Sequence, residues 1–368
     1  MHPVPQRVSL IVQTQEVILD GIRSGRWQGR LPGERKLCKE LQVSRWTLRG
    51  ALTALARQQV IRIAHGQACT VVARGAGRTR RKASSSEWHA GLIMPEPLWR
   101  LRPFVALWID ALRAWLQANG GELHLYDGPS YFGKNGDAAL ARLTKQAPHD
   151  CWSLLLSTHA MQLWFKERGL PVVAIGSTFE DVQLPSVDLA YRAVGRHAAG
   201  KLLAQGHEQI AWLSSNVTLA GVMECKRGFM EAFALPQHAT AELIVCQHAG
   251  SAADICRVLD RLRRRTAPPT ALYLQQSNAL LTTLSHLAQL GLSIPRNVSL
   301  IVAEDEPYFR HIVPEIARYS SEPEAFAHRI GRFLKQAMQG TLSEGSEAHI
   351  MPTFIAGTTV ARHVPMRK

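Results

Sequence analysis

The sequence predicts a multi-domain chain: a small N-terminal α+β unit of three short helices and a hairpin, followed by a larger two-lobed α/β unit. Three observations point to it. Residues 31–56, LPGERKLCKELQVSRWTLRGALTALA, place two turn signals and two apolar-spaced helices in a short span. Beyond residue 89, apolar runs alternate with helical segments in two successive series. Between them, RGAGRTRRKASSSEW combines glycine, serine and basic residues without apolar periodicity, as a linker does. The expected bounds are 1–73, a basic flexible linker at 74–88, and 89–368.

A chain of 368 residues with 46% hydrophobic and 20% charged residues has enough apolar material for more than one core. Its net charge of +14 is unevenly placed. Residues 1–88 hold 16 of the 43 Lys and Arg but only 5 of the 29 Asp and Glu, so the N-terminal quarter is the candidate polyanion binder. Cys38, Cys69, Cys151, Cys225, Cys246 and Cys256 show no CxxC pair and no Cys/His cluster at zinc spacing. They read as reduced core thiols, and no metal is expected. The N-terminus lacks a secretory pattern and no apolar run is long enough to span a bilayer, so a cytoplasmic protein without membrane contact is expected.

In residues 8–23, Ile11, Ile18 and Ile22 form one helical stripe that stops at Ser24-Gly25. Pro32-Gly33 opens a second helix through Leu41. Val43-Ser44 then turns the chain, and Ser44 is placed to cap a third helix. Leu48, Ala51, Leu52 and Leu55 share the inner face of that helix, while Arg45, Trp46 and Arg49 stand at its start, where the helix dipole already favours phosphate. Such a helix pair suits the major groove of double-stranded DNA. VIRIAHGQACTVV alternates on both sides of His65-Gly66-Gln67 and reads as a hairpin wing.

Leu31-Pro32-Gly33-Glu34-Arg35, Val43-Ser44-Arg45-Trp46-Thr47-Leu48-Arg49 and Gly66 together resemble the GntR-type winged helix-turn-helix over residues 5–73. That resemblance implies DNA contacts at Arg35, Ser44, Arg45, Thr47, Arg49 and Gly66, and Trp46 is an added candidate for a base or sugar contact. Two positions depart from the family pattern. Trp46 replaces a small polar residue, and Gly50 replaces Glu at a cost to the helix of about 0.8–1 kcal/mol relative to Ala.

After the linker, the first βα series runs AGLIMP, FVALWIDALRAWLQANG, ELHLYDG, DAALARLTKQA, CWSLLLST, MQLWFKERG and PVVAIGS. The second runs from YRAVGRHAAGKLLAQG through QIAWLSS, a helix at 224–234, AELIVCQ, AADICRVLDRLRRR, TALYLQQ and NALLTTLSHLAQLG to SLIVAED. Two such series imply two parallel-sheet lobes around a cleft. Val187-Asp188, Gly195, Gly206-His207, Lys226-Arg227-Gly228-Phe229, Leu290-Gly291-Leu292, Ile294-Pro295, Val298-Ser299-Leu300 and Gly357-Thr358 resemble the LacI/GalR-type sensor, itself similar to periplasmic sugar-binding proteins, over roughly residues 89–362.

No HExxH, GxSxG or Walker-type loop is present, so no enzyme and no cofactor are expected. Ligand groups are expected at strand C-termini facing the cleft: Glu96, Trp99, Asp127 and Ser157 in the first lobe, Gln276, Ser277, Glu304 and Asp305 in the second. The resembling family holds sugar hydroxyls with an Asn-Asp pair where this chain has Gln276-Ser277, which removes a bidentate acceptor. The expectation is a homodimeric transcription regulator of an operator, controlled by a small polar effector, possibly sugar-related. The alternatives are a degenerate sensor kept for dimerisation or partner contact, and an enzyme using the cleft.

Overall fold

The computed structural model describes residues 14, 15, 17, 18, 22, 27, 29–41, 43–57, 61–62, 69–71 and 88–363. Two compact units divide the chain at residues 84 and 85. Among the described residues, no helix is long and apolar enough to cross a membrane.

In the smaller unit, Thr14, Gln15, Val17, Ile18 and Ile22 are helical, as the apolar stripe predicts. Helix α1 (Glu34–Leu41) and helix α2 (Arg45–Arg57) follow, then strands β1 (Ile61–Arg62) and β2 (Thr70–Val71). The strands pair antiparallel, with Ile61 opposite Val71, so the wing is a hairpin. Ile18, Trp27, Leu31, Leu37, Leu48, Ala51, Leu52, Leu55 and Ile61 are buried together. The predicted inner face of α2 is therefore the core face. Ile11, Gly66 and residues 74–87 lie outside the described residues.

Trp88, the first described residue of the larger unit, is already a buried strand residue. Its first lobe contains β3 (Trp88–Met94), α3 (Pro103–Ala118), β4 (Gly121–Asp127), α4 (Gly136–Gln146), β5 (Cys151–Leu155), α5 (His159–Arg168), β6 (Val172–Ile175) and β7 (Ser186–Leu189). The second contains α6 (Tyr191–Ala204), β8 (Gln209–Ser215), α7 (Ala220–Phe233), β9 (Glu242–His248), α8 (Ala252–Arg263), β10 (Ala271–Leu274), α9 (Leu280–Gln289), β11 (Ser299–Val302) and β12 (Ala317–Ser320). The chain then returns. Helix α10 (Pro323–Met338) buries Phe326, Ile330 and Leu334 beside α3 in the first lobe, and β13 (Glu347–Ile350) adds to that sheet before β14 (Thr353–Ile355) joins the other.

Both sheets have six strands, in the orders β13-β7-β6-β5-β3-β4 and β14-β12-β11-β10-β8-β9. Every pairing is parallel except β12 with β14. Parallel strands buried on both faces need continuous apolar runs, and LIM, VVAI and LYL supply them. Three chain crossings join the lobes, after β7, after β12 and after β13. Most parallel strands of both sheets lead from their C-termini into βα connections, which is where an open α/β sheet gathers ligands.

Two sequence landmarks acquire physical causes here. A Cβ added to Gly195 on α6 would lie 2.0 Å from the Cys225 carbonyl oxygen, and one on Gly228 of α7 would lie 1.9 Å from the Arg192 carbonyl oxygen. The two helices thus touch backbone to backbone through reciprocal glycines. His207 is buried, its Nε2 3.1 Å from the Ala361 carbonyl and 2.9 Å from Ser299 Oγ, its Nδ1 2.9 Å from Thr270 Oγ1. The carbonyl requires Nε2–H, so Nδ1 accepts from the Thr270 hydroxyl. One neutral ring ties the approaches to β8, β10 and β11 to the C-terminal segment.

Gly228→Ala is expected to cost at least about 2 kcal/mol in urea denaturation, because the clashing atom is backbone and cannot rotate away. Burial lowers the His207 pKa to about 4, with His363 adding to the effect. The unfolded ring binds its proton near 6.5, so the stabilisation is complete above that pH and is lost as pH falls towards 4. Denaturation at pH 7.5 and 4.5 should differ by up to about 3 kcal/mol from this residue. His207→Gln should lose that component, and an unchanged pH slope would assign it to another group.

Candidate DNA-binding face and interlobe cleft

At the start of α2, Ser44 Oγ accepts the Thr47 backbone N–H at 3.1 Å and meets Thr47 Oγ1 at 2.8 Å. This is the expected cap, and it stops the chain from fraying where the helix begins. It also corrects one expectation: Thr47 is buried and turned towards its cap, so its side chain is not on the outer face. Arg35, Arg45 and Arg49 are exposed. Arg49 Nε lies 3.1 and 3.2 Å from the two Glu34 carboxylate oxygens, an exposed pair that joins α2 to α1. Such a pair is worth little in water and can be exchanged for a phosphate or a guanine edge. The first turn of α2 holds no acidic residue, so dipole and arginine charges have the same sign there. The backbone of Trp46 is helical, and its side chain lies outside the described residues, as does Gly66.

The larger unit holds a charged cluster between its lobes. Helix α3 starts at Pro103 with no acidic residue in its first turn and no side-chain cap from Arg102. Glu306, from the other lobe, accepts the Phe104 N–H at 3.1 Å and so caps the helix across the cleft. Arg102 Nη1 lies 2.5 Å from Glu304 Oε1 and 3.6 Å from Glu306 Oε1. Burial opposes the Arg102 charge, but the two glutamates more than offset it and raise its pKa. Burial raises Glu306, while Arg102 and the Phe104 N–H pull it down. Ser277 completes the cluster: its N–H donates to Glu304 at 2.7 Å and its hydroxyl to Glu306 at 3.2 Å.

Asp305 is engaged elsewhere, accepting from Arg318 Nε at 2.7 Å, and Gln276 Oε1 accepts the Ser215 N–H at 2.9 Å. Ser157 is buried and accepts from Gln162 Nε2 at 3.0 Å, so it belongs to the packing of α5. The preceding Leu156 takes a φ of 52°, an unusual left-handed conformation at the end of β5. Glu96 and Asp127 are exposed, and Trp99 is 80% exposed with Arg100 over its ring. The structure thus brings Ser277 and Glu304 into one cluster and leaves Glu96, Trp99, Asp127 and Asp305 outside it.

The ligand groups expected from the sequence do not include four residues of this region: Arg102, Glu306, Tyr191 and Asp188. Asp188 is buried at the end of β7, and burial raises its pKa to about 6 against the pull of the Ser177 hydroxyl, 2.6 Å away, and the Leu189 N–H. Tyr191 lies within electrostatic reach of Asp188, Glu304 and Arg102, and burial raises its pKa. Gly221 leaves room for both, since a Cβ there would meet the Tyr191 ring at 2.9 Å and Asp188 Oδ2 at 3.0 Å. Val187-Asp188 and the helix after it were visible as landmarks; nothing local marks Arg102 or Glu306.

Residues 10–71 match the model of bacterial regulatory proteins of the gntR family, and residues 199–360 match the periplasmic binding protein-like domain. The chain joins a GntR-type segment to a periplasmic-binding-protein-like domain. The GntR-type segment contains α1, α2 and the wing, and the matched domain contains the second lobe from the latter part of α6 onward with the returning α10 and β13. An HTH-type transcriptional regulator, reg1 of Streptomyces lividans, is 24% identical over 203 residues, 53% of this chain and 57% of that protein. The match therefore spans little more than half the length of that relative. Among solved structures, a LacI family transcriptional regulator from Enterococcus faecium with bound ribose has a TM-score of 0.61 at 19% identity, covering 75% of this chain and all of that one. The transcriptional regulator CelR in complex with cellobiose gives 0.63 at 19% identity, covering 86% of this chain and 92% of that one. These two share the fold.

Arg102→Ala would leave Glu304 and Glu306 facing each other without a cation. The expected loss of stability is about 2–4 kcal/mol, slightly below that of a fully buried pair, because the Arg102 side chain is 25% exposed. Small-angle scattering should show the lobes further apart in the variant. The double variant Arg102→Met with Glu304→Gln should recover much of the loss.

Proposed function

We propose that the protein is a transcription regulator that binds an operator through the GntR-type segment and is controlled by a small polar effector in the interlobe cleft. The observation that carries the first half is the Ser44-capped start of α2, with Arg45 and Arg49 exposed beside a paired wing. In this reading α2 enters the major groove, Arg45 and Arg49 meet guanine edges or phosphates, and Arg35 meets backbone phosphate. Gly66 joins the proposed interface by resemblance, and Trp46, which departs from the family pattern, joins it as an amphipathic ring at the helix start. The protein acts as a homodimer on a palindromic site, the larger unit providing the dimer contact.

The second half rests on the Arg102–Glu304–Ser277 cluster. Relatives of this fold hold ribose and cellobiose, so the effector proposed is hydroxyl-rich. Its hydroxyls compete for the Arg102–Glu304 pair, with Tyr191 and Asp188 lining the same region, and the lobe arrangement that binds it better gains population. A second reading is favoured by one specific observation: Gln276, Ser277 and Glu304 already satisfy one another or nearby backbone. A sensor so engaged can serve for dimerisation alone.

Operator affinity, measured by fluorescence anisotropy on duplexes selected from a random pool, is expected to weaken by roughly 1–3 kcal/mol in Arg45→Ala and in Arg49→Ala. Unchanged affinity in both would remove α2 from the groove. For the sensor, a thermal-shift screen of pentoses, hexoses and disaccharides on the full chain should find a compound that raises the melting temperature and loses this effect in Glu304→Gln. A binder at 100 times its dissociation constant stabilises by about 2.7 kcal/mol. A sugar panel without any response would favour the dimerisation-only reading.

A further inference from the structure

A second cluster of polar side chains lies at the far end of the first lobe from the cleft. It sits towards the N-terminal ends of β3 and β4, starting at the second residue of β3. His89 on β3 is the register partner of Glu122 on β4, and Gly91 is the partner of His124. Side chains alternate along a strand, so Glu122, His124 and Tyr126 share one face with His89. That face is the one covered by α4 and α5, since Ile93 and Tyr126 pack with Leu140, Leu143, Trp152 and Phe165.

Three ligand atoms converge there, all within 4.8 Å of one another. His124 Nε2 is 3.4 Å from His89 Nδ1, and Glu122 Oε2 is 3.8 Å from each of the two nitrogens. A point equidistant from all three lies about 2.1 Å from each, the length of a Zn–N or Zn–O bond. Two imidazoles and a carboxylate form a donor set for a borderline divalent ion, with a fourth position open to water on the exposed Glu122 side.

The surroundings hold two of these groups in place. The His124 ring stacks on His149 at 4.9 Å, and His149 packs edge-on against Trp152 at 4.8 Å and accepts or donates a 2.7 Å hydrogen bond with Tyr126. Gly91 makes room for this stack: a Cβ there would come within 2.6 Å of Trp152 and 2.7 Å of His149. The His89 backbone N–H donates to Asp150 Oδ2 at 2.7 Å, which fixes the strand at the ligand itself. His149 Nδ1 is buried without a hydrogen-bond partner among the described residues.

We propose that His89, Glu122 and His124 form a binding site for one divalent transition-metal ion of the zinc class, which clasps β3 to the edge strand β4 where the chain enters the larger unit. The site is separate from the interlobe cleft and does not depend on the function proposed above. Isothermal titration of Zn2+ into tag-free, chelator-treated full-length protein should show one saturable site per chain, and Zn2+ should raise the melting temperature. Co2+ should bind with the visible absorption of a low-coordinate nitrogen–oxygen site. Glu122→Gln, at an exposed position where folding is not at stake, should weaken Zn2+ binding at least tenfold, and His89→Gln with His124→Gln should abolish it while the circular dichroism stays unchanged. Absence of saturable one-per-chain uptake would overturn the proposal. So would uptake that persists in the double histidine variant, because it would place the metal on others of the chain's 15 histidines.

Discussion

The larger unit depends on a charge contact that neither lobe can make alone. Helix α3 begins without an acidic residue or a capping side chain of its own, and its Phe104 N–H donates to Glu306 from the opposite lobe. That buried carboxylate needs a cation, and Arg102, the residue immediately before the helix, provides it while also pairing with Glu304. Removing any member exposes the others to an uncompensated desolvation cost, so the three residues act as a unit. Ser277 fits this arrangement better than a carboxylate would, because its N–H and hydroxyl both donate to glutamates and a third acid beside them would repel.

The cluster sits where the two lobes face each other. The lobes are joined by three chain crossings, and the Arg102 contacts lie across the gap between them. Away from the gap the second lobe is tightly cross-linked. The glycine contacts of α6 with α7 and the His207 bridge to Thr270, Ser299 and Ala361 hold the second lobe as one block.

In the smaller unit the chemistry is divided by face. Leu48, Ala51, Leu52 and Leu55 fill the core, and Thr47 turns inward to meet its own cap. Arg45 stays free among the described contacts, while Arg49 is held by Glu34. Holding a long arginine in an extended position before it meets a partner lowers the entropy lost on contact. The weak exposed pair is therefore compatible with a role in recognition.

Local pattern alone determined most of the elements. The apolar spacing of α2, the Ser44 cap, the paired wing and all fifteen runs read as alternating strands and helices between 90 and 305 form where the sequence places them, because propensity, capping and burial period are short-range properties. The charge split between the two units was equally legible. Only the tertiary structure decided the return of α10 and β13 to the first lobe, since residues 306–356 carry no signal that says which sheet they join. It alone brought Arg102 to Glu304 and Glu306, some two hundred residues apart, and His89 to Glu122 and His124 through strand register. It also separated Ser277 and Glu304 from Glu96, Trp99, Asp127 and Asp305, which the strand-end rule had grouped together. Contacts of this kind depend on how sheets twist and lobes face each other, and no window of sequence contains that information.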